Sequence, residues 1–104
     1  MNKLRNGNVK EKINAATYMA DNKVIEAIPL LIENIDNKDR YFWEKEPKGG
    51  KIDVSCVVTY ALDQITNVNI GDTCYIFERP QEEYETIKQN WKGWYENKYM
   101  KYEN

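Results

Sequence analysis

The apolar residues of this chain repeat once at a fixed interval. Val9, Ile13, Ala16 and Ala20 recur as Val54, Val58, Ala61 and Ile65, each pair 45 positions apart, as 9 is from 54. An interval of that length spans two helices and their connections in a stacked helical repeat. The constraint is physical: one helix pair cannot bury its own apolar stripe, so a second pair with a matching stripe has to stack against it. The expectation is an all-α fold, an α-α superhelix of two helical hairpins, forming a single domain over residues 1–104 with flexible ends at 1–7 and 100–104. A scaffold of this kind carries no chemistry of its own.

Four main helices follow from the local signals. The first, over about 8–20, opens at Asn8 as N-cap with Glu11 as its capping-box partner, and buries Val9, Ile13, Ala16 and Ala20. Asp21-Asn22 is turn chemistry, after which a second helix over 24–35 places Val24, Ile28, Leu31 and Ile35 on one stripe. Pro29 fits if the regular helix starts near Ile25 or Glu26, where a missing N–H is harmless; otherwise it kinks the helix mildly. The third helix, 54–66, starts after Asp53 as N-cap. Its Val54, Val57, Val58, Ala61, Leu62 and Ile65 follow helical spacing, and β-branched content does not outweigh that periodicity. The fourth, 80–97, opens with Pro80 and turns Tyr84, Ile87, Trp91, Trp94 and Tyr95 inward. Its acids lie early and its lysines late, a distribution that the helix dipole favours without any binding role. Gly93 in its interior implies a close neighbour or an irregularity.

Two connections, 36–52 and 67–79, are longer than usual between helices, and any visible function is expected there. The first carries Tyr41, Phe42 and Trp43, which act either as a lid over the core or as an exposed recognition patch; a small domain that needs every large apolar side chain favours the lid. Cys56 lies in an apolar helix, where a buried thiol acting as core filler is the expected role, with a single Cys56–Cys74 bridge as the alternative.

Composition removes several classes of function. With no histidine, the usual general base and the commonest metal ligand are both missing. Two cysteines are too few for an all-cysteine zinc site, the glycines do not form a phosphate loop, and neighbouring surface acids do not make a cleft with divergent carboxylates. No cofactor, metal or catalytic residue is expected, and the chain reads as a non-enzyme. A net charge of −2 offers no basic excess for nucleic acid. The longest apolar run, residues 27–32, falls far short of a membrane span. Residues 1–12 lack the apolar core of a secretory signal, which slightly favours the cytoplasm over an exported form whose signal has been removed.

With these motifs placed, the chain resembles the short bacterial HEAT-repeat proteins. The resemblance rests on Asn14-Ala15-Ala16 in the first helix, on residues 26–32 (Glu26-Ala27-Ile28-Pro29-Leu30-Leu31-Ile32) in the second and on residues 60–66 in the third. Trp91, Trp94 and Tyr95 resemble the tryptophan-rich closing helix of such proteins, after an Ile-Thr segment and a glycine, here Gly71. It covers roughly residues 8–97. It implies an α-α superhelix whose second helices line the ligand-facing side, and a protein-binding scaffold with no reaction. Barely two units are present, so the aromatic fourth helix has to serve as a cap.

The expected function is a protein–protein interaction module, with a contact surface combining Tyr41, Phe42 and Trp43 with Glu26 and Glu33 on the outward face of the second helix. The alternative is an inhibitor or immunity-type protein that blocks a basic enzyme through an acidic face, since from residue 54 onward eight acids face five bases. The partner is expected to be another protein. The chain itself is expected to be a monomer or weak homo-oligomer, unless it is a segment of a longer array stacking through its open ends.

Overall fold

The computed structural model describes residues 2–43, 50–71, 73–74 and 80–100; within the strands the side chains of 41–43 and 51 lie outside that description. Five helices and one β-hairpin follow in the order α1 (Asn2–Asn6), α2 (Val9–Asp21), α3 (Ile28–Glu33), β1 (Arg40–Trp43), β2 (Gly50–Asp53), α4 (Val54–Thr66) and α5 (Gln81–Tyr95). A 3₁₀ turn, Ile25–Ala27, leads into α3, and a π-helical turn, Glu96–Met100, continues α5. The class is all-α.

The flexible start predicted over 1–7 is instead a short helix. Leu4 of α1 is fully buried and joins the core, and α1 packs on α2 and α3. An apolar residue among polar ones in the first turns is enough to anchor such a segment once two helices supply a surface. Gly7 makes the corner possible: a Cβ there would lie 2.4 Å from the Lys3 carbonyl oxygen. The other expected flexible end, beyond Met100, lies outside the described residues.

Asn8 caps α2 as the sequence predicts. Its side chain accepts from the Glu11 amide, and the Glu11 carboxylate accepts from the Asn8 amide. Glu11 also pairs with Lys3 of α1, and the Lys3 hydrogen bond, with the Asn8 amide, holds its carboxyl below the ordinary carboxylate range. The far end of α2 closes in a Schellman arrangement. Val24 N–H reaches the Met19 carbonyl and Lys23 N–H the Ala20 carbonyl, with Lys23 in the left-handed region at φ 49°. The Lys23 ammonium then donates to the Gln64 carbonyl in the last turn of α4.

The second predicted helix is shorter than expected. A 3₁₀ turn occupies Ile25–Ala27 and regular helix begins only at Ile28, so that Pro29 falls in the first turn, where no intrahelical partner awaits its absent N–H. The Asn34 side-chain amide donates to the Leu30 carbonyl and ends the helix at Glu33. Ile35, the last member of the predicted stripe, is still fully buried in the turn that follows.

The connection over 36–52, expected to be a loop, contains the hairpin. β1 and β2 are antiparallel, pairing Arg40 with Asp53, Tyr41 with Ile52, Phe42 with Lys51 and Trp43 with Gly50. Aromatic residues favour a pleated backbone, but a lone two-stranded ribbon is marginal and needs an anchor. The anchor is the N-terminus of α4. Val54 N–H donates to the Asp39 carbonyl, Ser55 N–H to the Asn37 carbonyl and Cys56 N–H to the Asp53 carboxylate, so three first-turn amides of α4 are satisfied by the hairpin base.

α4 spans the predicted residues and packs most extensively on α2. The repeated positions meet in one core, with Ile13, Ala16 and Ala20 of α2 and Val54, Val58 and Ala61 of α4 all buried, and Val9 and Ile65 packed at its edge. α3 contacts both α4 and α5. Tyr84 and Trp91 supply the buried part of the α5 stripe, with Ile87, Trp94 and Tyr95 half-buried beside them. Gly93 has no close neighbour; the irregularity that its presence implies begins three residues later, where α5 passes into the π-helical turn.

The second long connection is pinned to the helices where it is described. Trp91 donates its indole N–H to the Gly71 carbonyl at 3.0 Å, satisfying the one polar atom of a fully buried tryptophan. Cys74 is joined to Cys56 by a disulfide, which corrects the core-filler reading of Cys56. Local spacing could not reveal it, because the Cys74 backbone is brought to the first turn of α4 by contacts made elsewhere. One such contact is a buried hydroxyl chain. The Ser55 hydroxyl donates to the Ile35 carbonyl, so its oxygen accepts from Thr73 Oγ1, 2.6 Å away. Thr59 donates to the Cys56 carbonyl and accepts from the Thr73 amide at 3.2 Å. Every donor in the chain has one acceptor, as burial of polar groups demands.

Candidate functional site

Two helices that bury one face against a common core leave a groove where their exposed flanks diverge. α3 and α5 do so, with both helices contributing to its lining. The divide of this groove is Lys88, in the middle of α5 and only a quarter exposed. Its ammonium donates to the Glu33 carbonyl, the last of α3, and to Asp36 Oδ1, both at 3.2 Å. A cation at the C-terminal end of a helix satisfies orphan carbonyls and opposes the negative end of the dipole.

Toward the C-terminal end of α5 the groove has a volume of about 330 Å³, with an apolar floor of Pro29, Ile32 and Tyr95 and a rim of Glu33, Lys92 and Glu96. On the other side of Lys88, toward the N-terminal end of α5, lies a second, wider and shallower depression of about 550 Å³, lined by Asp36, Glu82 and Glu85 together with Thr86, Gln89 and Asn90. Lys88 lines both parts. Beyond the apolar part, Trp94, Tyr95 and Tyr99 form an edge-on and tilted aromatic cluster, ring centroids 5.1–6.1 Å apart, with the Lys98 ammonium 5.3 Å from the Trp94 ring. Such contacts stiffen the end of α5 by holding its side chains in one arrangement.

Of the predicted contact residues, Glu26 and Glu33 have described side chains. Glu33 is exposed on the rim of the groove. Glu26 is exposed in the 3₁₀ turn and does not line the groove, because the break at Ile28 takes it off the helix that carries Glu33. Tyr41, Phe42 and Trp43 form β1, whose backbone runs beside α2 rather than along the groove. Whether their side chains form a lid or a patch lies outside the described residues. Lys88 and Lys92, which also line the groove, read in sequence as dipole compensation, and Glu96 carried no signal. Tyr95 was assigned to the inward stripe and Glu33 to the contact surface.

Tyr84, fully buried near the hairpin base with the Lys38 ammonium 5.2 Å from its ring, has its phenol raised above the ordinary value by burial and by the Asp53 charge, so it remains protonated at neutral pH. Among the described residues no cluster of histidine, cysteine, aspartate and glutamate is arranged to hold a metal ion, and no helix is long and apolar enough to cross a membrane. No protein-family model, curated protein or solved structure matches this chain.

Proposed function

We propose that this chain is a non-enzymatic protein-binding module, a HEAT-like stack of two helix pairs that docks its partner in the groove between α3 and α5. The observation that carries the reading is that groove, an apolar floor with charged rims running along the two helices that come second in each pair. A concave surface flanked by polar groups is where a stacked helical repeat offers extended contact. The repeat supports the HEAT-like assignment, since all four offset-related pairs of α2 and α4 belong to one core or pack against its edge. α1 on the first pair and the 67–74 segment on the second act as caps, which leaves the lateral groove rather than the stack ends for binding. The Cys56–Cys74 bridge supports an oxidising compartment over the cytoplasm.

The test is affinity capture from native lysate with the wild type, a Tyr95→Ser variant and a Trp43→Ala variant. A prey lost with Tyr95→Ser and kept with Trp43→Ala is the expected result. Loss with Trp43→Ala alone would move the docking surface to the hairpin, and capture of nothing specific by any form would count against a binding module.

A further inference from the structure

Taking that groove as the docking surface, we propose that its occupant is a short, extended, basic peptide segment, with an arginine or lysine over Glu82 and Glu85 and a large apolar side chain on the Pro29–Ile32–Tyr95 floor. Among the described residues, five carboxylates (Glu33, Asp36, Glu82, Glu85 and Glu96) and two ammonium groups (Lys88 and Lys92) line the two parts of the groove, and Lys88 is already held by Asp36 and the Glu33 carbonyl. The free field of the groove is therefore negative, and a cationic partner complements it.

Helix stabilisation does not account for this surplus. Glu82 belongs to the first turn of α5, where the dipole favours it. Glu33 instead stands at the C-terminal end of α3, and Asp36 follows it closely, so both face the negative end of that helix. Acids at these positions weaken the helices slightly, and what they share is the groove. The length of the site sets the spacing within the ligand. Glu85 and Tyr95 are ten positions apart in α5, about 15 Å along its axis. An extended peptide covers that distance in about four or five residues, or about three when a long basic side chain reaches back.

Selection from a phage-displayed library of short random peptides, followed by fluorescence anisotropy on the enriched sequences, tests the proposal. The expected peptides carry a basic residue about three to five positions from a large apolar one and lose about tenfold or more in affinity both to Glu82→Gln with Glu85→Gln and to Tyr95→Ser. Both glutamates are exposed, so the double variant keeps its fold. Pro29→Gln, at an exposed position, repeats the apolar test should Tyr95→Ser melt early. Neutral or acidic peptides that respond only to Tyr95→Ser or Pro29→Gln would overturn the cationic occupant while leaving the groove as the docking surface. No enrichment, or peptides indifferent to every groove variant, would overturn both.

Discussion

Lys23 holds a backbone conformation that glycine adopts freely and lysine does not, φ 49°, because α2 has to stop and its last carbonyls need the Lys23 and Val24 amides. Part of that strain is offset by its ammonium, which reaches the Gln64 carbonyl at 3.0 Å on an exposed path. Left-handed backbone disfavours a side chain by about 1–2 kcal/mol, and an exposed hydrogen bond returns less. Lys23→Gly is therefore expected to raise stability by about 0.5–1 kcal/mol, whereas Lys23→Ala, which keeps the strain and loses the ammonium, lowers it; urea titration distinguishes the two. Tyr84 gives a pH-dependent counterpart. Its folded pKa lies above its unfolded value, so its contribution is complete below the unfolded phenol pKa and is lost as pH rises through the folded one. The expected outcome is an alkaline stability loss in the wild type that is smaller in Tyr84→Phe, read from melting temperature against pH. Neither effect is visible in sequence: the turn signal lies in Asp21-Asn22 and not in Lys23, and Tyr84 reads as one member of an apolar stripe.

α4 was the most legible element, and its neighbours explain why the less legible ones went astray. Its stripe and its Asp53 cap are local, so spacing alone was sufficient. The hairpin was not local in that sense. Tyr41, Phe42 and Trp43 favour a strand, but the amides that hold the ribbon at its base belong to Val54 and Ser55, on the next element. The 67–74 segment likewise depends on partners from α4 and α5, namely Thr59, Ser55, Cys56 and Trp91. A bridge closing a separation of 18 residues constrains the unfolded chain by about 3 kcal/mol. Reduction, or Cys56→Ser with Cys74→Ser, is expected to lower the unfolding free energy by about 2–3 kcal/mol without unfolding the protein, because the hydroxyl chain and the Trp91–Gly71 bond still hold the segment. Thiol labelling that appears only after reduction would verify the bridge, and complete unfolding on reduction would contradict the supporting role given to the hydroxyls.

A single core cluster gathers residues from α1 to α5, from Leu4 through Leu31 and Leu62 to Trp91. With all five helices sharing that cluster, none has a separate core on which to survive alone. Unfolding in urea is therefore expected to be one transition, coincident by far-ultraviolet circular dichroism and by tryptophan fluorescence, and independent of protein concentration for a monomer. A first transition confined to circular dichroism, or a midpoint that rises with concentration, would point to independent units or to self-association. Much of this fold was set by the sequence alone: the 45-position stripe, the Asn8–Glu11 and Asp53 caps, the position of Pro29 and the inward face of α5 all act within a few residues and need only helical geometry to take effect. Tertiary structure alone decided the burial of Leu4, the hairpin, the Cys56–Cys74 bridge and the α3–α5 groove, because each depends on groups far apart in sequence meeting at a surface that exists only after the helices have packed.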